Sequence, residues 1–162
     1  MTSVRDNRYS ARAQAKTAAH SPRTIWLATR ILGALALLAV GAVHLQQYVL
    51  LYSVIPTIGT LFVLTFVGAT VLAAALLAPI ERWGGQWAAA WLGLAGSAGV
   101  ALAVVAFVLL EISERTPLFG FREPGYDPAA ITTSQAAEIA TAVLLGAYLV
   151  ARFVARAPIR RW

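Results

Sequence analysis

Apolar residues run almost unbroken through positions 25–43, 60–80, 88–110 and 136–154, and short polar stretches separate these runs. Each run is close to the ~20 residues a helix needs to cross about 30 Å of hydrocarbon at about 1.5 Å per residue. The pattern predicts an all-α fold, an integral membrane bundle of transmembrane helices over 24–155. A flexible basic arm at 1–23 precedes it and a basic tail at 156–162 follows it. The link between the second and third runs is short, which favours antiparallel neighbours in a single domain.

Composition supports that class. Apolar residues make up 59% of the chain and charged residues 12%, against about 25% charged in a soluble domain. A soluble core of this length could not hide so much apolar surface. Of the 13 basic residues only Lys16 is a lysine, which, with the abundant alanine, suggests a G+C-rich bacterial genome. There is no cysteine, which excludes structural disulfides, Cys-ligated zinc, iron–sulfur clusters and covalently attached c-type haem. A bis-histidine haem needs two membrane histidines, and only His44 lies near a run, because His20 sits in the arm. No phosphate-cradling glycine loop, HExxH, GxSxG or carboxylate-rich metal pattern occurs. The expectation is therefore a protein with no catalytic residues, no cofactor and no metal.

Charge orients the chain. Arg5, Arg8, Arg12, Lys16 and Arg23 against Asp6 precede the first run, and Arg152, Arg156, Arg160 and Arg161 close the last. Lys and Arg collect on the cytoplasmic side of spans, and an even number of crossings places both termini together. Both termini are predicted to be cytoplasmic, in a multi-pass protein of the cytoplasmic (inner) membrane. Positions 81–87 then lie inside. Positions 111–134, with Glu111, Glu114, Glu123 and Asp127 against Arg115 and Arg122, lie outside. The lipid bilayer is the first partner, with anionic lipid drawn to the basic tails at about 1 kcal/mol per residue. Scattered charges without interleaved aromatics do not point to nucleic acid. Ile31 to Val40 resembles a signal-peptide core, but the long basic leader and three further runs predict an uncleaved anchor.

Helices in lipid associate through close packing, which small residues at four-residue spacing permit. Such stripes are Ala89, Gly93, Ser97 and Ala101 with Gly96 beside them, Thr65, Ala69 and Ala73, and Ala142 with Gly146. They are expected to form the seams of the bundle, or of a homo-oligomer. Trp26, Trp83, Trp87, Trp91 and Trp162 fall near one predicted boundary, and Tyr48, Tyr52, Phe119, Phe121 and Tyr126 near the other, as interfacial belts.

Candidate chemistry concentrates near the second boundary. If the first helix continues past Val43, then His44, Tyr48 and Tyr52 share a face at i, i+4 and i+8. Pro56 must end that helix or start the next. Glu111 closes the third run and Glu138 opens the fourth, on the face of Ala142 and Gly146 and so toward the bundle. Thr132, Thr133 and Ser134 are suitable caps, which would put Glu138 near the helix start, where the macrodipole favours a carboxylate. His44 reads either as an interfacial residue bonded to a neighbour or as part of a site. Glu138 reads either as an interfacial carboxylate or as a binder of a proton, cation or partner. The loop 116–128 holds Pro117, Pro124 and Pro128 with Gly120 and Gly125, and Pro124-Gly125 suits a type II turn. Phe119, Phe121, Arg122, Glu123 and Tyr126 would lay it over the bundle or form a docking surface for a membrane protein partner.

The strings HLQQY at 44–48, IPTIGTLF at 55–62, SERTPLFGFREPGY at 113–126 and AAEIATAVLLGAYL at 136–149 resemble a family of small four-helix integral membrane proteins of high-G+C Gram-positive bacteria. The resemblance covers about residues 31–154, implies the four-helix topology, and brings no activity, cofactor or substrate. A more distant similarity to the DoxX-like four-helix group brings no site. Two readings follow: a non-enzymatic accessory or interaction protein of a membrane complex, or a small redox-associated or ion- or proton-handling protein using His44, Glu111 and Glu138. Active transport is not supported, because beyond Arg30 and Glu138 no ionisable residue falls clearly within a run, and there is no inverted repeat.

Overall fold

A computed structural model describes residues 22–156. The predicted basic arm, apart from Pro22 and Arg23, and the tail beyond Arg156 lie outside the described residues. The chain forms α1 (Pro22–Leu50), a short 3-10 turn (Tyr52–Val54), α2 (Pro56–Leu77), α3 (Glu81–Arg115) and α4 (Pro128–Arg156). All 4 helices are long and apolar enough to cross a membrane. With 22 residues, α2 is the shortest, and it rises ~33 Å at about 1.5 Å per residue.

Proline and glycine, more than hydropathy, set the ends. Ile55 takes extended angles (φ −105, ψ 101) ahead of Pro56, which opens α2 in its first turn. Ala78 is extended (φ −62, ψ 139) before Pro79, so α2 stops at Leu77, short of the predicted position 80. Thr116 (φ −139, ψ 148) ends α3 before Pro117. The predicted loop at 81–87 is helical instead, and the break falls at Gly85, whose φ of 48 few other residues adopt readily.

The start of α4 corrects a further expectation. Asp127 is its cap, its Oδ1 accepting from the Ala130 N–H at 3.0 Å, with Pro128 in the first helical position. Thr132 and Thr133 are interior residues whose hydroxyls donate to the carbonyls of Pro128 (2.8 Å) and Ala129 (2.7 Å). Glu138 therefore lies roughly three turns into the helix at about 3.6 residues per turn. That is beyond the reach of the terminal dipole.

Each helix packs against its chain neighbours, α1 also packs against α4, and α2 does not meet α4. The result is an up-and-down bundle with both described chain ends and the link 78–80 at one end, the terminal end. The links 51–55 and 116–127 lie at the other, the loop end.

The core is small and rich in alanine: Ala34, Leu37, Ala69, Ala73, Leu76, Leu92, Ala95, Leu145 and Tyr148. Large apolar side chains such as Leu35, Val71, Val143 and Val150 face outward. Four apolar helices with that inverted distribution fit a multi-pass membrane protein. Ala69 and Ala73 of α2 are fully buried, on the expected stripe. On α3 the stripe is displaced. Ser97 and Ala101 are exposed, and the contact runs through Leu92, Ala95, Gly96, Gly99 and Ala103. On α4, Gly146 faces open space, and Leu145 and Tyr148 make the seam. A Cβ at Gly33 would stand 2.5 Å from Leu145 Cδ2, and one at Gly99 would stand 2.7 Å from Leu145 Cδ1.

The belts survive in part. Trp87 and Trp91 are exposed at the terminal end, and Phe119 and Tyr126 at the loop end. Trp26 instead packs on Tyr148, and Tyr52 is buried. The Trp83 side chain and Trp162 lie outside what is described.

Leu145 seated between two glycines yields a direct test. Gly33→Ala should lower the melting temperature in mild detergent, through overpacking of about 1–3 kcal/mol. Gly146→Ala should leave it level or slightly higher, because alanine is the better helix former. Equal melting of the two variants would remove Leu145 as the pivot of the seam.

Candidate functional site

At the loop end the four helices diverge around a cavity of about 100 Å³, walled by α1, α2, α3, α4 and the 116–127 loop. The walls are mostly Ile, Leu, Val and Phe, and a few polar groups interrupt them. The first is His44 on α1. Its Nδ1 is 2.9 Å from the Val40 carbonyl. A carbonyl can only accept, so Nδ1 carries a proton, and in the neutral ring the lone pair falls on Nε2. That nitrogen is 3.9 Å from Glu138 Oε1, beyond hydrogen-bond range.

Glu138 of α4 is 1% exposed. Its Oε1 accepts from Ser134 Oγ at 2.9 Å. Its Oε2 is buried without a hydrogen-bond partner among the described residues. The surrounding residues Ser134, Ala137, Thr141, Leu145 and Tyr148 are the buried face of α4, so Glu138 is directed by the helix that Leu145 locks in place.

Two carboxylates tie the loop down over this cavity. Asp127 Oδ2 accepts from Gln47 Nε2 at 3.0 Å while its other oxygen caps α4. Glu123 accepts from the Tyr52 hydroxyl and, through Oε1, from the N–H groups of Gly125 (2.9 Å) and Tyr126 (3.3 Å). The Glu123 N–H donates to the Ser113 carbonyl at 2.9 Å. Tyr52 stacks on Phe62 with centroids 4.6 Å apart and meets Phe121 edge-on at 5.7 Å. Phe62 in turn lies 5.1 Å from the His44 ring. Burial first, then the hydrogen bond and negative charge of Glu123, holds the Tyr52 phenol above the ordinary tyrosine range.

The structure brings His44, Tyr52, Glu138, Phe121 and Glu123 to one cavity. Tyr48 is not on its wall: α1 ends at Leu50, and the 3-10 turn carries Tyr52 inward while Tyr48 packs beside Gly59. Glu111 is directed elsewhere, bound to Arg115 at 2.8 Å and accepting from Gln135 Nε2 at 2.9 Å. Phe119, Arg122 and Tyr126 face outward. The predicted loop thus splits into an inward pair and an outward trio. Gln47, Phe62, Thr65, Ser113, Asp127 and Ser134 also line the cavity, and sequence reasoning did not single them out for it. Asp127-Pro128 carried a usable signal, as a cap followed by a first-turn proline. So did Ser134, one turn before Glu138.

Among the described residues no group of three or more His, Cys, Asp or Glu could hold a metal ion. The site offers a carboxylate and an imidazole in an apolar, partly enclosed space, an arrangement suited to holding a small solute. Comparison of the chain with protein-family models, with curated proteins and with solved structures finds no match.

The Tyr52 latch has a pH signature. Folded Tyr52 keeps its proton at pH values where the unfolded chain, titrating at about 10, has lost it. Its contribution is whole below about pH 10 and declines above it. The melting temperature of the wild type should fall more steeply than that of Tyr52→Phe between about pH 9.5 and 11. At neutral pH the variant should be less stable by about 1–3 kcal/mol, because buried Glu123 loses a donor. Parallel alkaline slopes would detach Tyr52 from the latch.

Proposed function

We propose that this protein is a non-enzymatic, multi-pass protein of the cytoplasmic membrane, termini inside, that holds a small solute in its loop-end cavity. The reading belongs with ion- or solute-handling proteins. The observation that carries it is the Glu138 carboxylate, nearly fully buried in the wall of the cavity, with one oxygen bonded to Ser134 and the other buried without a hydrogen-bond partner among the described residues. A carboxylate retained for structure alone would have both oxygens satisfied, because a buried unpaired acceptor costs stability. Half-satisfied, it suits a ligand that supplies the missing donor.

A second reading, an accessory protein that docks a membrane partner, is favoured by the outward side of the loop. Phe119 is 65% exposed and Tyr126 70%, and Phe119 is held at φ 51, a conformation few non-glycine residues adopt. That surface and the cavity share the same loop, so the two readings are compatible.

Replacing Glu138 separates a ligand anchor from a structural member. In ligand-free detergent solution, Glu138→Gln and Glu138→Met should melt at or above the wild-type temperature, because each removes a half-paired buried carboxyl group at similar volume. A fall of about 5 °C or more in both, roughly 1.3–2.5 kcal/mol or more for a chain of this size, would make the carboxylate part of the scaffold and defeat the solute reading.

A further inference from the structure

Most of the hydrogens on the polar groups around the cavity are already committed, and one of the two on Gln47 Nε2 is held by Asp127. The Thr65 hydroxyl donates to the Leu61 carbonyl at 2.9 Å. The Ser113 hydroxyl donates to Leu110 at 2.8 Å, and the Ser134 hydroxyl donates to Glu138. His44 has its Nδ1 proton on Val40, and the Tyr52 hydroxyl is bound to Glu123. The acceptors left over on the wall residues are Glu138 Oε2, buried with no hydrogen-bond partner among the described residues, and His44 Nε2, 3.9 Å from Glu138 Oε1.

Charge points the same way. The wall holds Glu123, Asp127 and Glu138, and among the described residues it holds no lysine or arginine. The first two carboxylates are engaged by the loop latch, which leaves Glu138 as the carboxyl group of the wall with an oxygen not yet bonded. The rings of Phe62 and Phe121 add aromatic surface, which attracts cations and repels anions.

From this set we infer that the cavity takes a small primary alkylammonium, its head on Glu138 and His44 and its short chain along Ile58, Leu61 and Leu109. This deepens the solute-holding reading and rests on it. An ammonium head brings three donors and no acceptor, the complement of a wall on which most donors are committed and a buried carboxyl oxygen is left without a partner. An alcohol brings one donor and lone pairs that would face other lone pairs. A carboxylic acid anion would meet the charge of Glu138. A cavity of about 100 Å³ is somewhat smaller than one that holds benzene, which limits the occupant to roughly four to six non-hydrogen atoms. Cation and carboxylate then neutralise each other in a setting where either alone is costly.

The test uses the full-length protein in mild detergent, with its melting temperature followed against added n-butylammonium chloride, n-butanol, sodium butyrate and sodium chloride. Butylammonium should raise the wild-type melting temperature in a saturable way, while butyrate and sodium chloride leave it level. Glu138→Gln should need at least tenfold more butylammonium for the same shift, and Glu111→Gln, whose carboxylate is directed away from the cavity, should respond as the wild type. An equal shift from butanol, or an undiminished response in Glu138→Gln, would overturn the ammonium assignment. So would a flat response to butylammonium, and if the Glu138 variants still melted at or above wild type, the broader solute reading would stand without it.

Discussion

Leu145 enters the bundle between Gly33 of α1 and Gly99 of α3, and that three-way contact sets how closely these helices approach. In hydrocarbon there is no water to drive apolar surfaces together, so helices hold by close fit and by the polar groups they satisfy between them. Two turns toward the loop end from Leu145, on the same face of α4, stands Glu138. The fit at Leu145 therefore also sets the position of the carboxylate opposite His44.

The loop end obeys a different rule. Non-helical backbone near a membrane needs partners for its polar groups, and here two carboxylates supply them. Asp127 joins the start of α4 to Gln47 of α1, and Glu123 joins its own turn to Tyr52. Because both acids are spent on holding the loop, the cavity beneath is left with one carboxylate free to act. The acids lie close together and differ in which of their oxygens are satisfied, and the proposed binding role of Glu138 rests on that difference.

Much of this was legible in the chain. The apolar runs marked the helices because each approaches the length of a membrane crossing. Their ends were less legible, since Pro56, Pro79, Pro117 and Pro128 set them through backbone geometry that hydropathy does not weigh. The inward direction of Glu138 followed from its helical face, although Ala142 and Gly146 were the wrong companions. Helices built of many small residues offer adjacent stripes of equal smallness, and only the large side chains of α4, Leu145 and Tyr148, packed on Gly33, Gly96 and Gly99, choose between them. His44 and Tyr52 were expected together on one continuous helix. They meet because that helix stops at Leu50 and a tight turn swings Tyr52 inward, and the same break leaves Tyr48 out. Glu111 was grouped with them by its place at the end of an apolar run. Its pairing with Arg115, one turn on, is a local contact that the spacing already allowed.

Solute access from outside the cell requires the chain to cross a membrane as this bundle, with the cavity and its loop on the outer face. A chain without cysteine makes that measurable in intact cells, with single cysteines and an impermeant thiol reagent. Gly125→Cys, in the exposed turn of the loop, should be labelled, and Ser3→Cys and Pro158→Cys should be labelled only after the cells are opened. Labelling of either tail in intact cells, or protection of position 125, would contradict that topology.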